Sequence, residues 1–279
     1  SPAVATGAAP NVLKARREGP RIVLSVNGVI VTEVADNSFP GNGFVALANW
    51  AGYGDNAISY FDAFQMNRVS QVYRDDYGSA GSGWFTDAQQ ECQAAYVNGE
   101  YRTATAATFI CLYRAPTGEQ VNGRYTTIVR REDTFYQTAY GLMFGEDGAF
   151  TSFYALFVVP DSQSYALTKY ANGQLLGITW DVVNDTAWLN SDAVYSGTSP
   201  NKLTIERDGA TIGIWINDVF VGAYNDPTPL TTGHFGVVNW ASQFDTAIAD
   251  FNEITVTAWD AGDAILRGVQ PGQAHPLSI

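Results

Sequence analysis

Residues 21–31, RIVLSVNGVIV, recur 190 positions later as residues 211–221, TIGIWINDVFV. In each copy apolar residues alternate on both sides of an Asn-Gly or Asn-Asp pair. This pattern predicts a β-hairpin, because a two-residue type I′ turn needs positive φ at both central residues. The match runs without a gap from residues 11–66 to residues 201–256. A match of this length, with its turns in register, predicts a structural repeat.

The material between the copies also reads as β structure. Short alternating segments are separated by turn residues, including Asn98-Gly99 and Asn172-Gly173, and no window shows a helical period. The 27 glycines, 15 tyrosines and 15 phenylalanines fit a β-rich protein. The sequence therefore predicts an all-β fold, an antiparallel jelly-roll β-sandwich.

Several motifs resemble one known family. Residues 70–258 are similar to a complete concanavalin A-like, laminin-G-like jelly roll, of the branch that includes the bacterial 3-keto-disaccharide hydrolase-like domains. The motifs that carry the resemblance are YRDDY at 73–77, NGEYR at 98–102, YGLMF at 140–144, IWIND at 214–218, GHFGV at 233–237 and DFNEI at 250–254. They specify turns and core strands, so the resemblance implies the fold, and the family's catalytic residues match no positions here.

The repeat divides the chain unevenly. Residues 1–69 correspond to the C-terminal half of a second jelly roll, residues 70–258 form the complete domain, and residues 259–279 are a tail or linker, or a donated strand. A half sandwich exposes an apolar face and unpaired strand edges. Three explanations stay open: the chain is a fragment of a longer tandem array, the missing half is a separate bound polypeptide, or another copy of the chain completes it.

Composition narrows the partners and the compartment. A formal net charge of −13 and the lack of a basic cluster argue against nucleic acid. No apolar run approaches the roughly 20 residues that a membrane span needs. Cys92 and Cys111 are expected to form a disulfide, which predicts an extracellular or cell-surface location; the alternative is two buried thiols.

The usual catalytic constellations are missing from the sequence. No Glu-x-Asp-x-Glu strand, nucleophile elbow or phosphate loop occurs, and the two histidines, His234 and His275, are far apart. We therefore expect a protein that is not an enzyme and needs no cofactor. A structural calcium is the exception considered, with oxygens from Asp75 or Asp76 and from Asp250 or Asn252. Turn-forming aspartates explain the same acidic excess.

Tryptophans supply the candidate ligand contacts. The repeated Asn-Trp-Ala places Trp50 and Trp240 at strand ends, where each could stack on a sugar ring, although a residue present in both copies is more often a packing element. The sequence does not decide between core and platform for four others: Trp84, Trp180, Trp188 and Trp215.

Two functions follow from these observations. The first is a non-catalytic extracellular structural protein that assembles with copies of itself, or with its missing half-domain, into a filament, sheath or surface layer. The alternative is a lectin-like carbohydrate-binding module of a larger secreted protein, with glycans as partners.

Overall fold

A computed structural model describes residues 3–6, 9–18, 21–38, 68–88, 91–132, 138–179, 187–242 and 246–260. The repeat also predicts strands at 43–50 and 58–69; the first of these, residues 58–67 of the second, Trp50, Trp180 and the segment 261–279 lie outside these ranges. The described residues form strands β1 (Leu13–Glu18), β2 (Arg21–Val26), β3 (Val29–Ala35), β4 (Arg68–Asp75), β5 (Cys92–Val97), β6 (Glu100–Thr105), β7 (Ile110–Arg114), β8 (Gly123–Arg131), β9 (Ala139–Glu146), β10 (Phe153–Val159), β11 (Ser164–Ala171), β12 (Gln174–Gly177), β13 (Leu189–Asn190), β14 (Asn201–Asp208), β15 (Thr211–Ile216), β16 (Val219–Asn225), β17 (His234–Trp240) and β18 (Ala247–Asp260), with one 3₁₀ turn at Ala80–Ser82.

Two antiparallel sheets make the main sandwich. One has the order β12-β11-β10-β9-β17-β7, with β13 paired to β11, and we call it the seven-stranded sheet. The other, the eight-stranded sheet, has the order β16-β15-β14-β8-β18-β6-β5, with β4 paired to β18. The long strand β18 holds this sheet together, since β8 pairs along one side of it while β6 and β4 share the other. The predicted all-β, antiparallel jelly-roll sandwich is confirmed.

Strict alternation of side chains builds the core between the sheets. In β8 every second residue is buried, which directs Tyr125 and Val129 inward. In β10 the inward set is Tyr154, Leu156 and Val158. Burial of these large side chains supplies most of the driving force for folding, at about 25 cal/mol per Å² of apolar surface removed from water.

The four predicted hairpin turns have the backbone that their sequences require. Both central residues of each turn have positive φ: Asn27-Gly28 at 51° and 81°, Asn98-Gly99 at 54° and 81°, Asn172-Gly173 at 53° and 78°, and Asn217-Asp218 at 52° and 64°. Asparagine, aspartate and glycine adopt this region at little cost, which explains why the turns could be predicted locally.

A disulfide joins Cys92 in β5 to Cys111 in β7, and therefore ties the eight-stranded sheet to the seven-stranded sheet. Cys111 is fully buried in the main core, together with Tyr113 of the same strand. The Tyr113 hydroxyl donates a hydrogen bond to the Gln93 carbonyl of β5, at 2.9 Å. The cross-link and this hydrogen bond fasten the same two strands.

The repeat is visible in hydrogen bonds as well as in sequence. Asn217 Nδ2 donates to Asn201 Oδ1 at 2.8 Å, and Asn27 Nδ2 donates to Asn11 Oδ1 at 2.9 Å, with the same offset of 190. Asn201 Oδ1 also accepts from the Tyr195 amide and Asn11 Oδ1 from the Ala5 amide. The two copies therefore share one local structure. The domain boundaries at residues 69 and 258 stay a prediction.

Strands β1, β2 and β3 form a separate antiparallel sheet, the N-terminal sheet. It packs on the outer face of the eight-stranded sheet. Glu206 of β14 forms ion pairs with Arg16 and Arg21, the guanidinium of Arg21 lies 4.4 Å from the Trp215 ring centroid, and the Trp215 indole donates to Glu33. The N-terminal sheet and its counterpart β14–β16 thus meet through their outer faces.

The described part of the chain contains no helix that is long and apolar enough to cross a membrane.

Candidate functional site

The outer face of the seven-stranded sheet carries a second apolar cluster. Phe153, Ala155 and Phe157 of β10 point away from the main core and pack with Met143 and Val238. These side chains are buried, which is unusual for a sheet face that a simple sandwich would leave to solvent. Both faces of this sheet are therefore apolar.

Trp240 ends β17 at the edge of this face. Its ring is only partly buried and is stacked on that of Trp188, with centroids 6.0 Å apart and an interplanar angle of 19°. Trp188 in turn lies 6.5 Å from Phe157. The fold thereby brings together two tryptophans that are distant in sequence and leaves part of the pair accessible.

Two other tryptophans that the sequence left undecided have structural roles. Trp84 is buried and its indole donates to Asp75 Oδ2 at 2.9 Å. Trp215 is buried beneath the N-terminal sheet, where it contacts Arg21. Neither ring is placed to meet a ligand from solvent.

The aspartates proposed for calcium have other partners. Asp75 accepts from the Trp84 indole and, at 2.8 Å, from the Tyr77 amide. Asp250 is buried and accepts both hydrogen bonds of a bidentate Arg102 fork, each at 2.7 Å, and one from Arg130 at 3.0 Å. Its charge is therefore compensated by arginine.

Asp76 and Asn252 are both exposed. One carboxylate oxygen of Asp76 accepts from the Gly78 amide at 3.1 Å, an arrangement that belongs to a turn. Within the described ranges no three acidic, histidine or cysteine side chains are grouped as a metal site. Calcium binding by Asp76 and Asn252 stays a prediction.

Two further carboxylates, those of Glu146 and Asp226, are buried. Glu146 accepts a bidentate pair from Arg114, at 2.6 and 3.0 Å. Asp226 accepts from the Tyr154 hydroxyl at 2.6 Å and from Lys169 Nζ at 2.8 Å. Burial raises the pKa of Asp226, but the hydrogen bonds from Lys169 and Tyr154 outweigh it and hold this pKa below its usual value.

His234 Nε2 lies 3.1 Å from Glu119 Oε1, at the surface end of β17, and His275 lies outside the described residues. The first copy of the repeat has Phe44 at the position of His234, which favours a surface or packing role for this histidine over a catalytic one. The structure gives it an exposed acidic partner.

Comparison with known proteins identifies structural neighbours but no relatives in sequence. No protein-family model matches the sequence. No curated protein shows significant sequence similarity to it. Its structural neighbours include a protein of unknown function with a galectin-like fold from Bacillus subtilis, at 13% identity and a TM-score of 0.52, covering 68% of this chain and 97% of the other. A structure described with endo-acting O-glycanases of the human gut microbiota has 9% identity and a TM-score of 0.51, covering 68% and 99%. A carbohydrate-binding module, CBM66, from Bacillus subtilis has 17% identity and a TM-score of 0.43, covering 66% and 91%.

At these identities the likeness establishes the fold. The chain has the concanavalin A-like jelly-roll sandwich that its motifs resembled. The expectation that the protein is not an enzyme is wrong as a conclusion from the sequence, because a structural neighbour with the same fold is described with endo-acting O-glycanases. That expectation depended on the absence of known catalytic motifs from the sequence, including the Glu-x-Asp-x-Glu strand. A sandwich can also bring catalytic carboxylates together from separate strands, and a search for a single motif does not see such a pair.

Proposed function

We propose that this protein binds carbohydrate at the edge of the outer face of the seven-stranded sheet, with Trp240 stacking on a sugar ring. The observation that carries the proposal is the partly exposed Trp188–Trp240 pair. Aromatic rings bind the C–H faces of sugars, while the hydroxyl groups stay hydrated or accept hydrogen bonds. Because one face of the Trp240 ring is stacked on Trp188, a sugar would bind to the opposite face of Trp240.

The neighbours support glycans as the ligand class. One shares a galectin-like fold, and another is described with O-glycanases that initiate mucin breakdown. A location outside the cell or at its surface is proposed for the same reason, and the Cys92–Cys111 disulfide fits an oxidising compartment. Similarity in fold does not identify the sugar, since one fold hosts many functions. The proposal therefore depends on the stacked tryptophan pair.

A glycan array that includes mucin O-glycans, followed by a tryptophan-fluorescence titration with each hit, tests it. Trp240→Ala should weaken binding by about 2- to 13-fold, the range of a single aromatic contact worth roughly 0.5–1.5 kcal/mol. Trp240→Phe keeps an aromatic face and should retain most of the affinity. Phe85→Ala removes an exposed ring elsewhere and should change nothing. An array without hits, or equal affinities for wild type and Trp240→Ala, would contradict the proposal.

A second candidate function is structural: assembly of copies of the chain into a filament, sheath or surface layer. The observation that favours it is the exposed apolar face of the N-terminal sheet, which includes Leu13 and Leu24. Negative-stain imaging of concentrated protein tests it. Ordered polymers are the expected outcome, and uniformly small particles at every concentration would contradict it.

A further inference from the structure

The N-terminal sheet repeats the local structure of strands β14–β16 down to its register. The pairing of β1 with β2 and that of β14 with β15 join equivalent residues, with the offset of 190 that the sequence shows. The hairpins β2–β3 and β15–β16 each have a bulge at the same place, after Leu24 and after Ile214. Equivalent residues of the two sheets therefore occupy equivalent places.

Ion pairs across the contact relate the two sheets by an approximate two-fold axis. Arg16 pairs with Glu206, which is its own counterpart in the repeat. Lys14 pairs with Asp208, the counterpart of position 18, so β1 and β14 run in opposite directions across the contact. The strands β3 and β16, which are also counterparts, lie beside each other. Such a contact is isologous, with position 16 on the axis.

An isologous contact places an axial residue against its own equivalent. Two complete domains that met through this face would therefore bring two Glu206 carboxylates together, at a site where this side chain is only 3% exposed. Each carboxylate would keep Arg124 of its own sheet, whose Nε lies 3.6 Å away, but would lose Arg16 and Arg21. Like charges in such a place oppose association. Two second copies are thus poor partners for each other.

Two first copies fit each other no better. They would place Arg16 against Arg16 on the axis. In the observed contact, Ile30 Cδ1 lies 2.7 Å from the place that a Cβ at Gly213 would occupy. The first copy has Val23 at the position of Gly213, so the same approach would meet a side chain. The contact is therefore built for one copy of each type.

We propose that the outer face of β14–β16 is a docking surface that selects a sheet of the first-copy type, with the opposite charges at positions 16 and 206 as its specificity determinant. The contacts are the same whether that sheet belongs to the same chain or to a second copy of the chain. Two molecules can therefore exchange their N-terminal sheets, whereas two complete domains do not pair through this face. The inference does not depend on carbohydrate binding.

Charge reversal in the full chain tests the determinant, with hydrogen exchange of β2 and β3 as the measure of undocking. Glu206→Arg puts a further cation beside Arg16 and Arg21 and should raise the undocked population at least about 100-fold. Adding Arg16→Glu restores opposite charges on the axis and should reverse at least about tenfold of that rise. The matched control is Lys14→Glu, the same kind of reversal in a pair whose side chains are 42% and 55% exposed, and it should change exchange less than about fivefold.

Amides of β10 in the main sandwich show whether each variant is folded. A double variant that is docked no better than Glu206→Arg overturns the inference, and so does a Lys14→Glu effect as large as that of Glu206→Arg. If Glu206→Arg does not fold, folding of the double variant supports the inference and its failure to fold overturns it.

Mixing two variants tests selection between molecules. Arg16→Glu and Glu206→Arg each carry like charges on the axis, and each alone should sediment near 30.2 kDa. In an equal mixture at about 50 μM, the sheet of each molecule meets the opposite charge on the other molecule's domain, so the mass should shift toward twice that value. A mixture of Lys14→Glu with Asp208→Lys is the control and should not shift. A single variant that dimerises alone, or a mixture of the first two that stays at the mass of its parts, overturns the inference.

Discussion

Replacing Glu206 by Gln should loosen the N-terminal sheet without unfolding the sandwich. The Glu206 carboxylate is 3% exposed and lies beneath that sheet. It forms ion pairs with Arg16 and, at 2.5 Å, with Arg21, while Arg124 Nε lies 3.6 Å away. Glutamine keeps the shape but removes the charge, so the guanidinium groups are left in the interface without this counter-charge.

The magnitude follows from burial. Removing one partner of a fully buried ion pair destabilises by about 3–5 kcal/mol. Here the arginine side chains are 15% and 16% exposed, and Arg21 keeps its pair with Glu33 at 2.7 Å. We therefore expect a smaller loss of docking free energy, about 2–3 kcal/mol, which raises the undocked population by about 30- to 160-fold.

Hydrogen exchange measured by mass spectrometry reports this population directly. Amides of β2 and β3 should exchange faster in Glu206→Gln, while those of β15, the counterpart of β2, should not change. Asp208→Asn is the matched control, because Asp208 lies two residues along on the same face and pairs with Lys14 while 55% exposed. Exposed pairs contribute about 0–1 kcal/mol, so this variant should differ little from wild type. Equal exchange in Glu206→Gln and wild type, or an equal effect of Asp208→Asn, would refute the reasoning.

Two further outcomes concern stability. The Cys92–Cys111 cross-link spans a sequence separation of 19, so replacing both cysteines by alanine should lower the free energy of unfolding by about 3 kcal/mol in a guanidinium titration, and no change would exclude a stabilising role. The pKa of Asp226 is lowered in the folded state, so its contribution is complete above the unfolded-state pKa and is lost as the pH falls through the folded-state value. Unfolding free energies measured from pH 6 to pH 2 should therefore fall less steeply for Asp226→Asn than for wild type, and parallel curves would contradict this.

Local features of the structure could be predicted from the sequence. The turns at Asn27-Gly28 and Asn217-Asp218 follow from backbone preferences that act within two residues. Alternation alone separates the buried from the exposed side of β8. Such signals depend only on neighbouring residues, so the all-β sandwich could be predicted from the sequence.

Contacts between distant segments could not be predicted. Trp240 is singled out because it recurs in the repeat, but nothing in the sequence indicates that Trp188 stacks on it, since Trp188 directly precedes β13 and Trp240 ends β17. The same holds for Trp215 and Arg21, which meet only because two copies of one hairpin pack through their outer faces. A repeat predicts what each copy looks like and does not predict how the copies are arranged.

The position of β18 in the chain has a consequence for biosynthesis. This strand pairs with β4, β6 and β8, and Ile254 lies opposite Asp75, so most of its contacts join residues separated by more than a hundred positions. A ribosome delivers residues 247–260 after all of these partners. Until then β4, β6 and β8 have no strand between them, and the strand edges that pair with β18 stay open. Closure of the eight-stranded sheet therefore waits for β18, and non-local pairing of this kind favours slow folding and leaves open strand edges that promote aggregation.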